Sequence, residues 1–477
     1  MLSRLSLSPT PTPRRGLLAC TAVAALSVML GCGGDPAEPS THSQQQVEQH
    51  EGVPALPEPL AKAVSANQAI ISWCFETKAG LEPCGCVAGM HGGLLRRASL
   101  LARTSPEAVL SCEGGGWSGG AADYQLTKTR YYLDGLALAQ IDVLGVGASE
   151  VRLGSTHLSD LLAHAASAKL PVVCANLSAD NATPLTLSAL HRVTAAGQRF
   201  AVTSVVPASA SGAGLTVSDP AEALLALTAK LQGDPLVVLA DMDEAGLRAL
   251  ATAVPGIAVV IGGAVHDPSP APIAVGPTRV VFAGNQGKVL AHWVYGAPSC
   301  TPELINDQIA DHSAIRALVT SYQEALGAMD LQIDERIGGM TSLAGSGGAS
   351  YVGSASCAAC HSGAHATWQN SRHAHALDTL RERNYHRDPE CLRCHVTGLA
   401  TPSGYSRKGA NPALGMVSCE SCHGQGSTHV AERSAGKQAS GSLVPVTQAS
   451  CLRCHDDDNS PHFDYTTYWP RIVHDAN

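Results

Sequence analysis

The chain has 477 residues, 45% of them apolar and 15% charged, with a formal net charge of −9. That length points to two or three domains, and the apolar share suffices for a buried core, which excludes a disordered chain. No basic block occurs anywhere, which excludes nucleic acid as a partner; aromatic residues are only 4%, so the core rests on small aliphatic side chains unless a large apolar cofactor completes it.

At the N-terminus, Arg4, Arg14 and Arg15 precede an apolar run from Leu17 to Leu30 that ends in Gly31-Cys32-Gly33-Gly34. The run is too short to span a bilayer, and residues 1–31 are expected to be an export signal. It resembles bacterial lipoprotein signals, in which a cysteine after a small residue is acylated and becomes the new N-terminus. This resemblance makes Cys32 the expected lipidation site, although Met29 and Leu30 depart from the usual pattern and leave ordinary cleavage nearby open. Residues 32–65 are rich in Pro, Gln, Ser and Glu without apolar periodicity, and should form a flexible tether.

Over 66–300 short Val, Ile and Leu runs alternate with helical patterns, which argues a layered α/β domain. Strands are expected near Ile70, Ala108, Ile141, Pro171, Leu236, Ile257 and Val280, and helices near Leu94, Ser155, Pro220 and Glu244. Arg96 and Arg97 are expected on the wet face of the first of these helices. Residues 301–350 read as an amphipathic helix from about Pro302 to Leu331, followed by a Gly and Ser-rich hinge over 338–350.

Six cysteines lie in this part of the chain: Cys74, Cys84, Cys86, Cys112, Cys174 and Cys300. Their even number in an exported protein favours disulfides. The alternative is a thiolate metal or redox site, formed by Cys74, Cys84, Cys86, Cys112 and Cys174 near strand ends that converge on one crevice.

In the order and spacing of its strand-end motifs, the α/β region resembles the metallophosphatase domain of periplasmic nucleotidases. That family holds two metals on Asp-x-His, Gly-Asp, Gly-Asn-His-Glu, a lone His and Gly-His-x-His. The matching places here read Thr77-Lys78-Ala79, Gly114-Gly115, Gly147-Ala148-Ser149-Glu150, Asp241 and Gly263-Ala264-Val265-His266. With nearly every ligand replaced, the resemblance implies the fold without two-metal hydrolysis.

Four copies of Cys-x-x-Cys-His follow within 351–477. They are Cys357, Cys360 and His361; Cys391, Cys394 and His395; Cys419, Cys422 and His423; and Cys451, Cys454 and His455. Chance would supply about 0.02 copies in a chain of this composition, so the repetition carries meaning. Two residues between the thiols let both sulfurs reach the vinyl groups of one haem while the adjacent imidazole turns to the iron. Four covalently attached haems c follow as the expectation. A zinc site or a redox dithiol also uses Cys-x-x-Cys, but neither requires a histidine after every pair.

Seven further histidines in this region could supply second axial ligands: His365, His373, His375, His386, His429, His462 and His474. Two imidazoles keep iron six-coordinate in both oxidation states and suit it to electron transfer, whereas an open position admits a substrate. Four macrocycles cannot be covered by so short a stretch with an ordinary core, so the haems themselves should be the core, among short helices and loops.

The stretches "YVGSASCAACHSGAHATWQNSRHAHAL", "GMVSCESCHGQGSTHV" and "CLRCHDDDNSPHFDYTTYWPRIVH" closely resemble the multihaem cytochromes c typified by the tetrahaem electron carrier of ammonia oxidation. In that family the histidines of Trp-x-x-Ser-x-His and Gly-x-Gly-Ser-x-His are distal ligands. The resemblance implies His373 and His429 in that role here, with His474 as a third candidate and His386 as a fourth. Some members leave one haem without a distal ligand.

These readings lead to an exported tetrahaem cytochrome, tethered to the membrane by a lipid, that passes electrons from a donor redox protein to an acceptor in the cell envelope. The alternatives are a haem enzyme acting on a small nitrogen or sulfur compound at one open site, and, more remotely, a nucleotidase-type phosphohydrolase.

Overall fold

The computed structural model describes residues 52–83, 90–180, 184–265, 267–284, 286–329, 349–399, 401–406, 411–438, 443–456, 459–460 and 462–475. The expected signal, Cys32, Cys84, Cys86, His266 and most of the expected hinge lie outside the described residues.

Apolar runs build two six-stranded sheets. The first contains β1 (Ile70–Cys74), β2 (Val109–Glu113), β3 (Val143–Gly145), β4 (Val172–Val173), β13 (Val289–Val294) and β14 (Cys300–Leu304). Its order is β14-β13-β1-β2-β3-β4, with β1 to β4 parallel and the last two strands antiparallel. The second contains β6 (His191–Ala195), β7 (Gln198–Val205), β9 (Leu236–Ala240), β10 (Ile257–Gly262), β11 (Ile273–Val275) and β12 (Thr278–Phe282). Its order is β11-β12-β10-β9-β7-β6, with a parallel centre and antiparallel edges. A short ladder of β5 (Leu177–Ala179) and β8 (Leu215–Val217) stands apart.

Strands β1, β2 and β9 are buried at every position, as strands covered on both faces must be. Between the sheets, Ile71, Trp73, Leu110 and Val143 meet Phe200, Val202, Val237, Leu239, Val259 and Ile261. Each such side chain contributes roughly 1.5–3 kcal/mol when fully buried. The outer face of the first sheet carries α2 (Leu94–Leu101), α3 (Asp123–Leu138), α5 (Gly154–Ser167) and α8 (Ser313–Ala328). On the second sheet lie α6 (Pro220–Thr228), capped by the Asp219 carboxylate, and α7 (Glu244–Ala253), capped by Asp243. The layers therefore run helix, sheet, sheet, helix, an α/β architecture as expected.

Three local expectations differ. The helix expected from Pro302 begins only at Ser313, because Cys300–Leu304 pairs with β13 as an edge strand, where a proline loses no ladder bond. Residues inside the expected tether form α1 (Glu58–Ser65), whose Leu60 and Ala63 bury against Ile70 and Val109. Arg97, expected in solvent, is 2% exposed and ion-paired at 2.8 Å with the fully buried Glu113.

From residue 349 onward the described residues form helices of three to eight residues and loops. Their apolar cluster is small, made of Leu377, Leu380, Leu392, Val396 and Leu399. This segment leans on the α/β domain. Glu82 accepts a hydrogen bond from Arg316 of α8 at 2.9 Å and another from the hydroxyl of Tyr385. Among the described residues no helix is long and apolar enough to cross a membrane.

Candidate haem-binding centre

Each Cys-x-x-Cys-His motif is a turn of helix. In the first, the backbone N–H groups of Cys360 and His361 both bond the Cys357 carbonyl, at 3.2 and 2.9 Å, and His455 bonds Cys451 in the same way in the fourth. The second motif sits in the helix Pro389–His395, capped by Asp388, and the third in Cys419–His423, capped by Ser418 and ended by Gly424 at φ 83°.

The chain brings three motif imidazoles opposite three others. Ring centroids of His361 and His429 lie 6.3 Å apart, those of His373 and His455 6.2 Å, and those of His423 and His474 6.0 Å. An imidazole nitrogen binds a metal at about 2 Å, so two rings on opposite sides of one metal have centroids about 6 Å apart. All three pairs meet that spacing, and in this respect the residues fit a haem iron.

The second ring nitrogens are held as metal-binding histidines require. Nδ1 of His395 faces the Ala376 carbonyl at 2.6 Å, that of His455 the Ser460 hydroxyl at 3.2 Å, and that of His474 the Ile472 carbonyl at 2.9 Å. The His423 ring bonds the backbone of Val444. Burial holds His373, His395, His423 and His455 below the ordinary histidine range, which favours the neutral form that binds metal.

Local sequence explains the placement of His373. Trp368 donates its indole N–H to the Val417 carbonyl at 2.8 Å, the Ser371 hydroxyl closes on the Trp368 carbonyl, and Val417 N–H bonds the His373 carbonyl. Phe463 stacks on His455 at 4.6 Å, a buttress that no motif marks.

His395 stands differently. Among the described residues no second imidazole faces it at the spacing of the other three pairs. The neighbours of His386 are both drawn to the α/β domain, Tyr385 to Glu82 and Arg387 to Gly327 of α8. His365 packs on Trp368, and His375 lies exposed beside Asp378.

The motifs also touch one another. Cys357 and Cys419 are within hydrogen-bonding reach, as are Cys394 and Cys454, and Cys422 adjoins Cys451. The order of contact is first, third, fourth, second.

In the α/β domain, the strand-end crevice is filled by the chain itself. The Phe75 ring lies so close to Gly114 and Gly263 that a Cβ at either would clash at 2.3 and 2.1 Å. Glu150, in α4 (Ala148–Arg152), accepts from the N–H groups of Gly116, Ser118 and Gly147 at 2.8–2.9 Å, and Asp241 accepts from Ala148. Among the described residues no group of three His, Cys, Asp or Glu side chains could hold a metal.

Of the six cysteines of the α/β region, Cys74, Cys112, Cys174 and Cys300 lie among the described residues and form no disulfide with one another. Cys112 lies between the sheets, Cys174 under the outer helices and Cys74 in a third cluster with Leu290 and Ile305, so these three neither pair nor share a site. Neighbouring residues on a strand point to opposite faces, which separates Cys112 from Cys74 although their strands adjoin.

The double-sheet α/β domain is joined to helical turns of Cys-x-x-Cys-His with opposed imidazoles, a set of residues that fits covalently bound haem c. Residues 356–424, which span the first three motifs, match the family model described as cytochrome c554 and c-prime. Cytochrome c-554 of Nitrosomonas europaea is 31% identical over 93 residues, which cover 16% of this chain and 40% of that protein, so the match spans less than half of that relative's length. The α/β region is similar in fold to the 5'-nucleotidase precursor of Thermus thermophilus, with a TM-score of 0.47, 20% identity, and coverage of 56% of this chain and 60% of that one. It is also similar to the NAD nucleotidase of Haemophilus influenzae, with a TM-score of 0.48, 15% identity, and coverage of 61% and 64%.

Proposed function

We propose that the protein is an exported tetrahaem c-type cytochrome that passes electrons between a donor and an acceptor redox protein in the cell envelope. The observation that carries this reading is the set of three imidazole pairs at 6.0–6.3 Å, each joining a motif histidine to one from elsewhere. Haem c, attached through Cys357 and Cys360, Cys391 and Cys394, Cys419 and Cys422, and Cys451 and Cys454, supplies a one-electron iron couple.

The chain's own part is to hold the ligands still. His361 with His429, His423 with His474, and His455 with His373 would each hold one iron from two sides, an arrangement in which little would move when an electron arrives. Contact between successive motifs makes the electron path first, third, fourth, second. The anchor is Cys32, acylated after removal of residues 1–31.

The test is magnetic and mass spectroscopy of the full chain matured in a host competent for cytochrome c. Four haems per chain with three low-spin bis-histidine centres are expected. A chain that matures colourless, or irons without paired imidazoles, would end the reading. Replacing Cys32 by Ala should release the protein from membranes; unchanged membrane retention would remove the anchor.

A second reading rests on His395, which no imidazole among the described residues faces at the spacing of the other three pairs. The second site would then be open to a small nitrogen or sulfur compound. Carbon monoxide binding to the reduced protein at one haem is its expected sign, and wholly low-spin spectra would remove it.

A further inference from the structure

We infer that Glu420, an interior residue of the third motif, is the positioning residue that holds His429 opposite His361 at the first motif. The inference rests on the axial pairing proposed above and extends it to a residue that binds no haem.

Glu420 is 3% exposed and forms no ion pair among the described residues. Its carboxylate is instead met by backbone N–H groups from two other segments. Oε1 accepts from Val352 at 3.0 Å and Gly426 at 2.8 Å; Oε2 accepts from Gly353 at 2.7 Å and Val352 at 3.1 Å. Four contacts from three N–H groups converge on one buried side chain.

What those segments carry gives the contact its meaning. Val352 and Gly353 lead directly into the helix Ala355–Ala358, whose end delivers Cys357, Cys360 and His361. Gly426 precedes the helix Ser427–Ser434, which carries His429 in its first turn. A carboxylate at that end also matches the positive pole of the helix. The two imidazoles of one pair thus stand on separate elements clamped through a side chain of a third. Ser350 and Ser427 reinforce the clamp, with Ser350 N–H donating to the Ser427 hydroxyl at 2.8 Å and Ser427 N–H to the Ser350 carbonyl at 3.2 Å.

Removing the carboxylate leaves two buried N–H groups, of Gly353 and Gly426, and the half-buried one of Val352 without this acceptor, and each such loss is costly enough to move the backbone. Neither the helix Ala355–Ala358 nor the helix Ser427–Ser434 has a buried residue of its own to resist that movement, and each carries one imidazole of the same pair or leads into it. The consequence appears at the first haem although the change lies in the third motif.

The test compares Glu420→Ala, Glu420→Gln, Ser418→Ala and His429→Gly in the full chain matured with haem, read by haem content and by electron paramagnetic and magnetic circular dichroism spectra. With haem load unchanged, Glu420→Ala should show the high-spin signal of His429→Gly at half its intensity or more, and added imidazole should restore the low-spin form. Glu420→Gln, which keeps one acceptor oxygen, should show a smaller share of the same signal and carries the test should Glu420→Ala not mature. Ser418→Ala, which removes the cap of the same helix but no contact to Val352, Gly353 or Gly426, should leave the spectra as they were.

A wholly low-spin first site in the Glu420 variants, beside an open one in His429→Gly, would overturn the inference. So would an equal opening in Ser418→Ala, which would reduce Glu420 to general support of the helix. If His429→Gly changes no spectrum, the axial pairing itself fails.

Discussion

Lys128 of α3 and Glu390, the residue before Cys391, form an ion pair that joins the α/β domain to the second Cys-x-x-Cys-His motif. Next to it lies Asp388, which is 5% exposed and caps the motif helix through the Glu390 N–H. The α/β domain is therefore fastened to the motif of His395, which no imidazole among the described residues faces at the spacing of the other pairs.

That junction should respond to acid in an unusual direction. Burial first, then the charge of Glu390, pushes the Asp388 carboxyl up to about 6 from an unfolded value of 3.8. Between those values the folded state binds more protons than the unfolded one, so this group costs stability above pH 6 and stops doing so as the pH falls toward 4. Asp388→Asn keeps a capping oxygen and should flatten that dependence. The measurement is the difference in unfolding midpoint between variant and parent from pH 4 to 7.5. A gap that does not widen with rising pH would contradict the assignment. Lys128→Ala should lower stability by only about 1 kcal/mol, since Glu390 stays partly in solvent.

The buried pair of Arg97 and Glu113 should be far less tolerant. Arg97 bonds Glu113 at 2.8 Å and the Tyr132 hydroxyl at 3.1 Å, while Thr77 and Tyr132 both donate to the same carboxylate. Arg97→Met strands a fully buried carboxylate and should cost about 3–5 kcal/mol, which would lower the melting point of the α/β domain by roughly 10 °C. The double variant Arg97→Met, Glu113→Leu removes both charges and should recover most of that loss. Calorimetry that finds the single variant unchanged would refute the account.

These residues also mark where sequence reading stops. The haem motifs are legible because attachment chemistry is local: two thiols and an imidazole on one turn of helix need nothing from the rest of the chain. Family likeness singles out His373, His429 and His474, but which motif each one faces depends on long-range contacts such as Trp368 with Val417. Strands β1, β2, β9 and β10 were visible as apolar runs. Helix α3 was missed because it packs against both α5 and α8, and burial on two sides erases a single apolar face. Glu420 gave no signal, since its place in the motif takes any residue. Arg97 was misplaced because a lone arginine on a helix is ordinarily solvated, and its partner lies in another strand.

Acid should weaken the edge of the first sheet. His292 of β13 is buried, with Nδ1 at 2.7 Å from the Ser72 hydroxyl and Nε2 at 3.0 Å from Glu303, which Arg103 also binds. Burial lowers its pKa despite the Glu303 hydrogen bond. The unfolded chain then takes up a proton that the folded one refuses, so stability is full above the unfolded value near 6.5 and falls as the pH drops below it. His292→Gln should remove this part of the acid sensitivity at a cost of about 1 kcal/mol at neutral pH. Hydrogen exchange of β13 and β14 amides between pH 5 and 7.5 measures it, and equal pH slopes in variant and parent would count against it.

The sharpest contrast among the histidines is between His474 and His386. His474 faces His423 at 6.0 Å and fixes its own Nδ1 on the Ile472 carbonyl, whereas both chain neighbours of His386 are drawn to the α/β domain, Tyr385 to Glu82 and Arg387 to Gly327. His474→Gly should convert the third centre to high spin, a loss of roughly one third of the low-spin signal, with full haem content and recovery on adding imidazole. His386→Ala should leave both the signal and the haem content as in the parent. The two variants are read in the same spectra, so a reversed result would transfer the distal role from His474 to His386.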